Sequence, residues 1–266
     1  MIKQDLLLNK IEKLPRFLII EGNTGSGKKT FVRELVNRFS MKILYFNSSI
    51  EDVRKAIDLS TQQSSPIIFA FLDADNMSTS AKNALLKVTE EPTENVYFIL
   101  TLRSLDNTLG TIASRGQNLK LLPYTKEDLL AYRKFRGYSN LYDSIFTDVC
   151  ANPGEVDNLF GLNVPDFFSF VNAVVDNINV PTNGNAFKIT KRMKLKDSDD
   201  GFNPELLLKA IQVGFMLKAK ETKKKQYLLA SLETGKTLRE LQISSISKQA
   251  TLDIWIMNVR LALRGV

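Results

Sequence analysis

Phe17-Leu18-Ile19-Ile20-Glu21-Gly22-Asn23-Thr24-Gly25-Ser26-Gly27-Lys28-Lys29-Thr30 passes from four apolar residues through a Gly-rich turn into Phe31-Val32-Arg33-Glu34-Leu35-Val36, whose apolar residues fall at helical spacing. That order reads as strand, phosphate loop, helix. Gly22 and Gly27 stand in the G-x-x-x-x-G-K frame with Lys28 as its lysine. In such a loop, backbone N–H groups and a helix N-terminus wrap a polyphosphate while the lysine reaches its outer oxygens. The candidate ligand residues are therefore Gly22, Asn23, Thr24, Gly25, Ser26, Gly27, Lys28, Lys29 and Thr30, and ATP or ADP is the natural ligand. The competing interpretation is a Gly-rich strand-to-helix turn that binds nothing.

One position departs from the frame. The residue after the lysine normally offers a Ser or Thr hydroxyl to Mg²⁺, and here it is Lys29. Thr30 lies one residue further round the helix, rotated by about 100° from the metal position. A protein-bound Mg²⁺ is thereby put in question.

Outward from the loop, strand and helix alternate. Residues 2–14 read as a short amphipathic helix. Met41-Lys42-Ile43-Leu44-Tyr45-Phe46 reads as a second strand, and Ile50–Ile57 as a helix behind a Ser49 cap. Pro66–Leu72 is an apolar run too short for a buried helix, which makes it a central parallel strand. Asp73-Ala74-Asp75-Asn76-Met77 leads into a helix opened by Ser78 or Thr79 and closed at Glu90-Glu91-Pro92. Val96–Thr101 and Leu119–Leu122 read as the remaining strands. The class is α/β with a parallel sheet. Pro123-Tyr124-Thr125 opens a helix with a capping-box pattern from Thr125 to Asp128. Beyond it the pattern is helical, turned at Asn152-Pro153-Gly154 and interrupted by loop-like stretches at 181–185 and 197–201.

Asp73-Ala74-Asp75-x-Met77, Ala81-x-Asn83-Ala84-Leu85-Leu86-Lys87, Glu90-Glu91-Pro92, Phe98-Ile99-Leu100-Thr101 and Thr111-Ile112-x-Ser114-Arg115, in that order behind a phosphate loop, resemble the AAA+ subunits of the bacterial DNA polymerase III clamp loader. The likeness is to the delta-prime type first and the gamma/tau type second. It implies an AAA+ RecA-like module over 1–122, a helical lid over 123–164 and an all-helical C-terminal collar, the oligomerisation domain, over 165–266. Leu252–Leu263 resembles the collar's terminal helix. The family's cysteine module is missing, and zinc is not expected. The implied partners are other clamp-loader subunits in a hetero-oligomer, with the sliding clamp and primer-template DNA reached through the assembly.

The same resemblance assigns roles at the site. Ser114-Arg115 matches the family's Ser-Arg-Cys motif, whose arginine enters a neighbouring subunit's ATP site; the competing role for Arg115 is a surface salt bridge. Matching on Ala74-Asp75-x-Met77 sets Leu72 where the family has its metal-binding Asp and Asp73 where it has the water-positioning acid. A one-residue slide would instead put Asp73 in the metal position. Arg103 and Ser104 fall in the region of the γ-phosphate sensor, and Glu155 replaces the lid's basic sensor, where it would repel phosphate. These departures together imply a hydrolysis-deficient subunit that holds nucleotide statically or not at all, with Arg115 acting in trans. Two alternatives stay open: an active Mg²⁺-ATPase motor subunit of gamma/tau type using Lys28 with Asp73, and a DNA-binding module acting through residues 181–240.

Composition bears on the last of these. Residues 181–240 hold 13 Lys/Arg against 7 Asp/Glu, which is +6 of the chain's net +7. Such a bias marks either a polyanion footprint or a solvated helical surface. The chain has no histidine and one cysteine, Cys150, which excludes histidine-based catalysis, histidine metal ligands, an internal disulfide and a Cys₄ zinc site. The first residues lack a signal-peptide pattern and no apolar run approaches membrane length, so a cytoplasmic protein without a membrane partner is expected.

Overall fold

A computed structural model describes residues 2–90, 93–139, 141–179, 189, 192–193, 201–241 and 247–265. Glu91-Pro92, the 181–185 loop and most of 197–201 lie outside the described residues. The chain divides into two compact units, one of residues 1–132 with 152–154 and one of residues 133–151 with 155–266.

The first unit is built on a five-stranded parallel sheet in the order β2-β3-β4-β1-β5, where β1 is Phe17–Glu21, β2 Lys42–Phe46, β3 Ile67–Phe71, β4 Val96–Leu102 and β5 Gln117–Lys120. Helix α1 (Ile2–Lys10) precedes the first strand, and α2 (Lys28–Phe39), α3 (Ile50–Ser60), α4 (Thr79–Glu90) and α5 (Gly110–Ala113) separate the strands. The inner strands are largely apolar because both faces are covered. Phe17, Ile19, Phe69, Phe71, Phe98 and Leu100 enter one core with Ala81 and Leu85 of α4. Leu18, Ile20, Ile68, Ala70 and Ile99 enter the other with Phe31, Val32 and Leu35 of α2. The period-two side-chain alternation of a strand thus sorts residues into two layers.

Local capping sets the helix starts. Ser49 accepts from the Asp52 N–H at 3.1 Å and Ser78 from the Ala81 N–H at 3.2 Å. The Thr125 N–H donates to Asp128 while the Asp128 N–H donates back to the Thr125 hydroxyl, the reciprocal box expected from the sequence. Two boundaries need correction. Helix α1 ends at Lys10 rather than reaching residue 14, and Ile11 and Leu14 are instead buried in the loop leading to β1. The last strand is Gln117–Lys120 rather than 119–122: it is a half-solvated edge whose polar residues hide its start, and Leu18 pairs with Gln117.

The second unit is helical: α7 (Asp143–Val149), α8 (Pro153–Phe160, its first two residues counted with the first unit), α9 (Val164–Asn177), α10 (Pro204–Thr222), α11 (Lys225–Glu240) and α12 (Lys248–Arg264). Helix α6 (Lys126–Phe135) straddles the division. Helix α10 packs on α9 and α11, and α11 on α12. Gly214 lets α10 approach α9, since a Cβ there would stand 2.8 Å from Val175 Cγ2. Trp255 of α12 is fully buried, and its indole N–H donates to Thr234 Oγ1 of α11 at 3.0 Å, so its one polar atom is satisfied in the core.

Candidate nucleotide site and trans-acting arginine

The phosphate loop leaves β1 at Glu21, and the Gly22 N–H donates to the Leu102 carbonyl of β4 at 3.0 Å. Gly25 and Gly27 adopt φ of 81° and 92°, a left-handed backbone that glycine takes without strain. Helix α2 then begins with the Phe31 N–H on the Gly27 carbonyl at 2.8 Å. Ser26 is buried, and its hydroxyl has no hydrogen-bond partner among the described residues. An orphaned hydroxyl beside a helix N-terminus suits an anionic oxygen.

Lys28 is buried as well, and its ammonium donates to the Gly22 carbonyl at 2.6 Å and the Asn23 carbonyl at 3.3 Å. Burial holds its pKa below the usual lysine value; the carboxylates of Asp73 and Asp75 pull the other way, and Arg103 adds to the lowering. Lys28, Asp73, Asp75 and Arg103 therefore share one electrostatic neighbourhood at the carboxyl ends of the strands, where open α/β sheets bind ligands.

Each acid there has a defined support. Asp73 sits in the left-handed region at φ 53°, its N–H donates to Thr101 Oγ1 at 3.0 Å, and its carbonyl accepts from the Ser48 hydroxyl. Asp75 accepts the Arg103 N–H with both carboxylate oxygens, at 2.8 and 3.0 Å. Leu72, beyond the end of β3, is half-buried. Ser104 is occupied in a short helical turn, accepting from the Asp106 N–H and donating to its carboxylate. Thr101, which sequence reasoning did not single out as a site residue, is the buried polar group at the end of β4. Its signal was a hydroxyl at the end of an apolar strand.

The residue after the loop lysine carries no metal ligand. Lys29 is exposed, with its ammonium 5.7 Å from the centre of the Tyr45 ring on β2, and it offers no oxygen. No group of three or more His, Cys, Asp or Glu among the described residues is arranged to hold a metal ion.

Two contacts from distant sequence clamp the loop. The Tyr124 hydroxyl donates to the Ser26 carbonyl at 3.1 Å. The Gly154 N–H donates to the Gly25 carbonyl at 3.0 Å, and the approach is so close that a Cβ on Gly154 would fall 2.4 Å from Gly25 Cα. Glu155, which replaces the lid's basic sensor, has its carboxylate engaged: it accepts from the Ala151 N–H at 2.9 Å and pairs with Lys209 at 2.7 Å, which caps and ties α8.

Arg115 follows α5. One nitrogen donates to the Thr111 carbonyl at 2.8 Å and another meets Glu90 Oε1 at 2.5 Å, with the two side chains 33% and 50% exposed. The surface salt bridge is real, and such a pair contributes about 0–1 kcal/mol. A guanidinium held that weakly is available to a stronger anion.

Residues 13–125 match the family model described as DNA polymerase III, delta subunit. The DNA polymerase III subunit delta' of Haemophilus influenzae is 35% identical over 68 residues, covering 26% of this chain and 21% of that protein. Over residues 13–125 the chain is thus similar to clamp-loader AAA+ subunits of the delta-prime type. The replication factor C small subunit of Sulfolobus acidocaldarius is 30% identical over 142 residues, 45% of this chain and 44% of its own. The chain thus aligns with less than half the length of these curated relatives. A solved Thermotoga maritima protein described as DNA polymerase III, gamma subunit-related superposes with a TM-score of 0.58 at 15% identity, covering 98% of this chain and 100% of its own. At that identity the likeness is one of fold, and it takes in the helical C-terminal part as well as the sheet. No helix of the described residues is long and apolar enough to cross a membrane.

Proposed function

We propose that the chain works in DNA replication as a clamp-loader subunit in a cytoplasmic hetero-oligomer, that it does not turn over ATP itself, and that Arg115 serves the ATP site of a neighbouring subunit. The observation that carries this reading is the state of the loop. Lys28 spends its ammonium on the loop's own Gly22 and Asn23 carbonyls, and position 29 supplies a cation where phosphoryl transfer needs a metal-bound hydroxyl. Gly22 to Thr30 would hold the phosphates of ATP or ADP, with the orphaned Ser26 hydroxyl among the donors, and no step requires a divalent ion in this chain.

Assembly is supported by the helical unit. Ile254, Met257 and Leu261 of α12 are exposed at i, i+3 and i+7, the spacing of a helix-packing seam, and Leu228, Leu229 and Leu232 form a second exposed apolar run on α11. Other loader subunits are the partners these stripes fit, with the sliding clamp and primer-template DNA engaged by the whole assembly.

The active gamma/tau-type reading draws on one observation, the closeness of Asp73 and Asp75 to Lys28. Single-turnover hydrolysis separates the two. The purified chain should leave bound ATP intact, whereas the loader reconstituted with its motor subunit should hydrolyse ATP and lose that activity on Arg115→Ala. Hydrolysis by the chain alone, or an unaffected Arg115→Ala assembly, overturns the reading.

A further inference from the structure

The turn joining α10 to α11 carries Lys220, Lys223, Lys224 and Lys225 within six residues, with Glu221 as the one acid in that span. All four lysines are exposed, and none forms an ion pair among the described residues; the nearest pair along the chain joins Lys218 to Asp176. Lys220 suits the last turn of α10, but the positions of the other three run against helix chemistry. Lys223 has φ 58° after the end of α10, where Gly or Asn is the ordinary choice. Lys224 stands at the N-cap of α11 without a side-chain cap, and Lys225 opens a first turn that contains no acid, where the helix dipole disfavours a cation. Three consecutive departures from local stability mark a surface kept for something other than folding.

The chemistry narrows the partner. The turn has no arginine to grip a base edge, and its neighbour Tyr227 is half-buried near Phe215 with the Lys218 ammonium 5.6 Å from its ring centre. Base stacking, the basis of single-strand binding, has no platform here. Compact ammonium charges on an exposed turn instead suit phosphates, which fix position without reading sequence. We propose that the Lys220–Lys225 turn is a sequence-independent binding surface for the sugar-phosphate backbone of duplex DNA. This holds whether or not the chain loads a clamp.

The test titrates the full chain into a fluorescein-labelled duplex at stepped salt concentrations and reads anisotropy. Duplex affinity should fall with salt, and the variant carrying Lys220→Gln, Lys223→Asn, Lys224→Gln and Lys225→Gln should lower the log–log slope by about 3 and the low-salt affinity on the order of 100-fold. Asn tolerates the left-handed position 223. A milder Lys220→Gln, Lys224→Gln variant should lose about half as much slope, and arginine at all four positions should keep it. An unchanged slope in the folded variants, tighter binding of the single strand than of the duplex, or binding of poly-glutamate without binding of duplex each overturns the proposal.

Discussion

Lys28 and Arg115 are the two cations of the first unit that the proposed function uses, and they are held in opposite ways. Lys28 is buried and bonded to its own loop, which Tyr124 and Gly154 further clamp. Arg115 lies on an exposed turn, paired with a half-exposed glutamate. Disturbing the first means breaking the hydrogen bonds of a buried ammonium; moving the second costs little more than a solvated ion pair. The difference teaches where this module leaves a cation accessible: on an exposed turn rather than in its own loop.

The largest effect should come from the rim. Arg115→Ala should lower ATP turnover by the reconstituted assembly on the order of 10³-fold, the weight of an arginine finger, with little change in this chain's melting temperature. Next comes the clamp on the loop. Gly154→Ala forces a methyl group against the Gly25 backbone and should cost about 1–3 kcal/mol in denaturant unfolding, while an unchanged midpoint would mean the loop is looser than it looks. Glu90→Gln removes the resting partner of Arg115 and should change stability by less than about 1 kcal/mol without impairing turnover.

The smallest effect concerns Lys28 and pH. Its folded pKa is lowered, so its charge is disfavoured by folding at neutral pH, and that penalty fades as pH rises from the lowered value to 10.5. Wild type should therefore gain stability relative to Lys28→Met between neutral pH and pH 10.5. Equal pH profiles for the two proteins would remove burial as the cause.

Much of this was legible in the sequence because it is written in short-range patterns. The runs Phe17–Ile20 and Ile67–Phe71 announce strands covered on both faces, and the Gly22–Lys28 frame announces the loop behind the first. Edge strand β5 was misplaced by two residues since Gln117 and Asn118 carry no apolar signal and owe their strand to pairing with Leu18 and Ile19. The clamps by Tyr124 and Gly154 join residues about a hundred positions or more apart, which periodicity does not register. The Glu155–Lys209 pair was hidden for the same reason: the two residues stand 54 positions apart and form a tie within the helical unit.

In the proposed function this chain's own pocket does not run the reaction. Its most direct test is multiple-turnover ATP hydrolysis by the purified chain, with Mg²⁺ and with EDTA. The expected result is no turnover in either, and sustained Mg²⁺-dependent release of phosphate would contradict it.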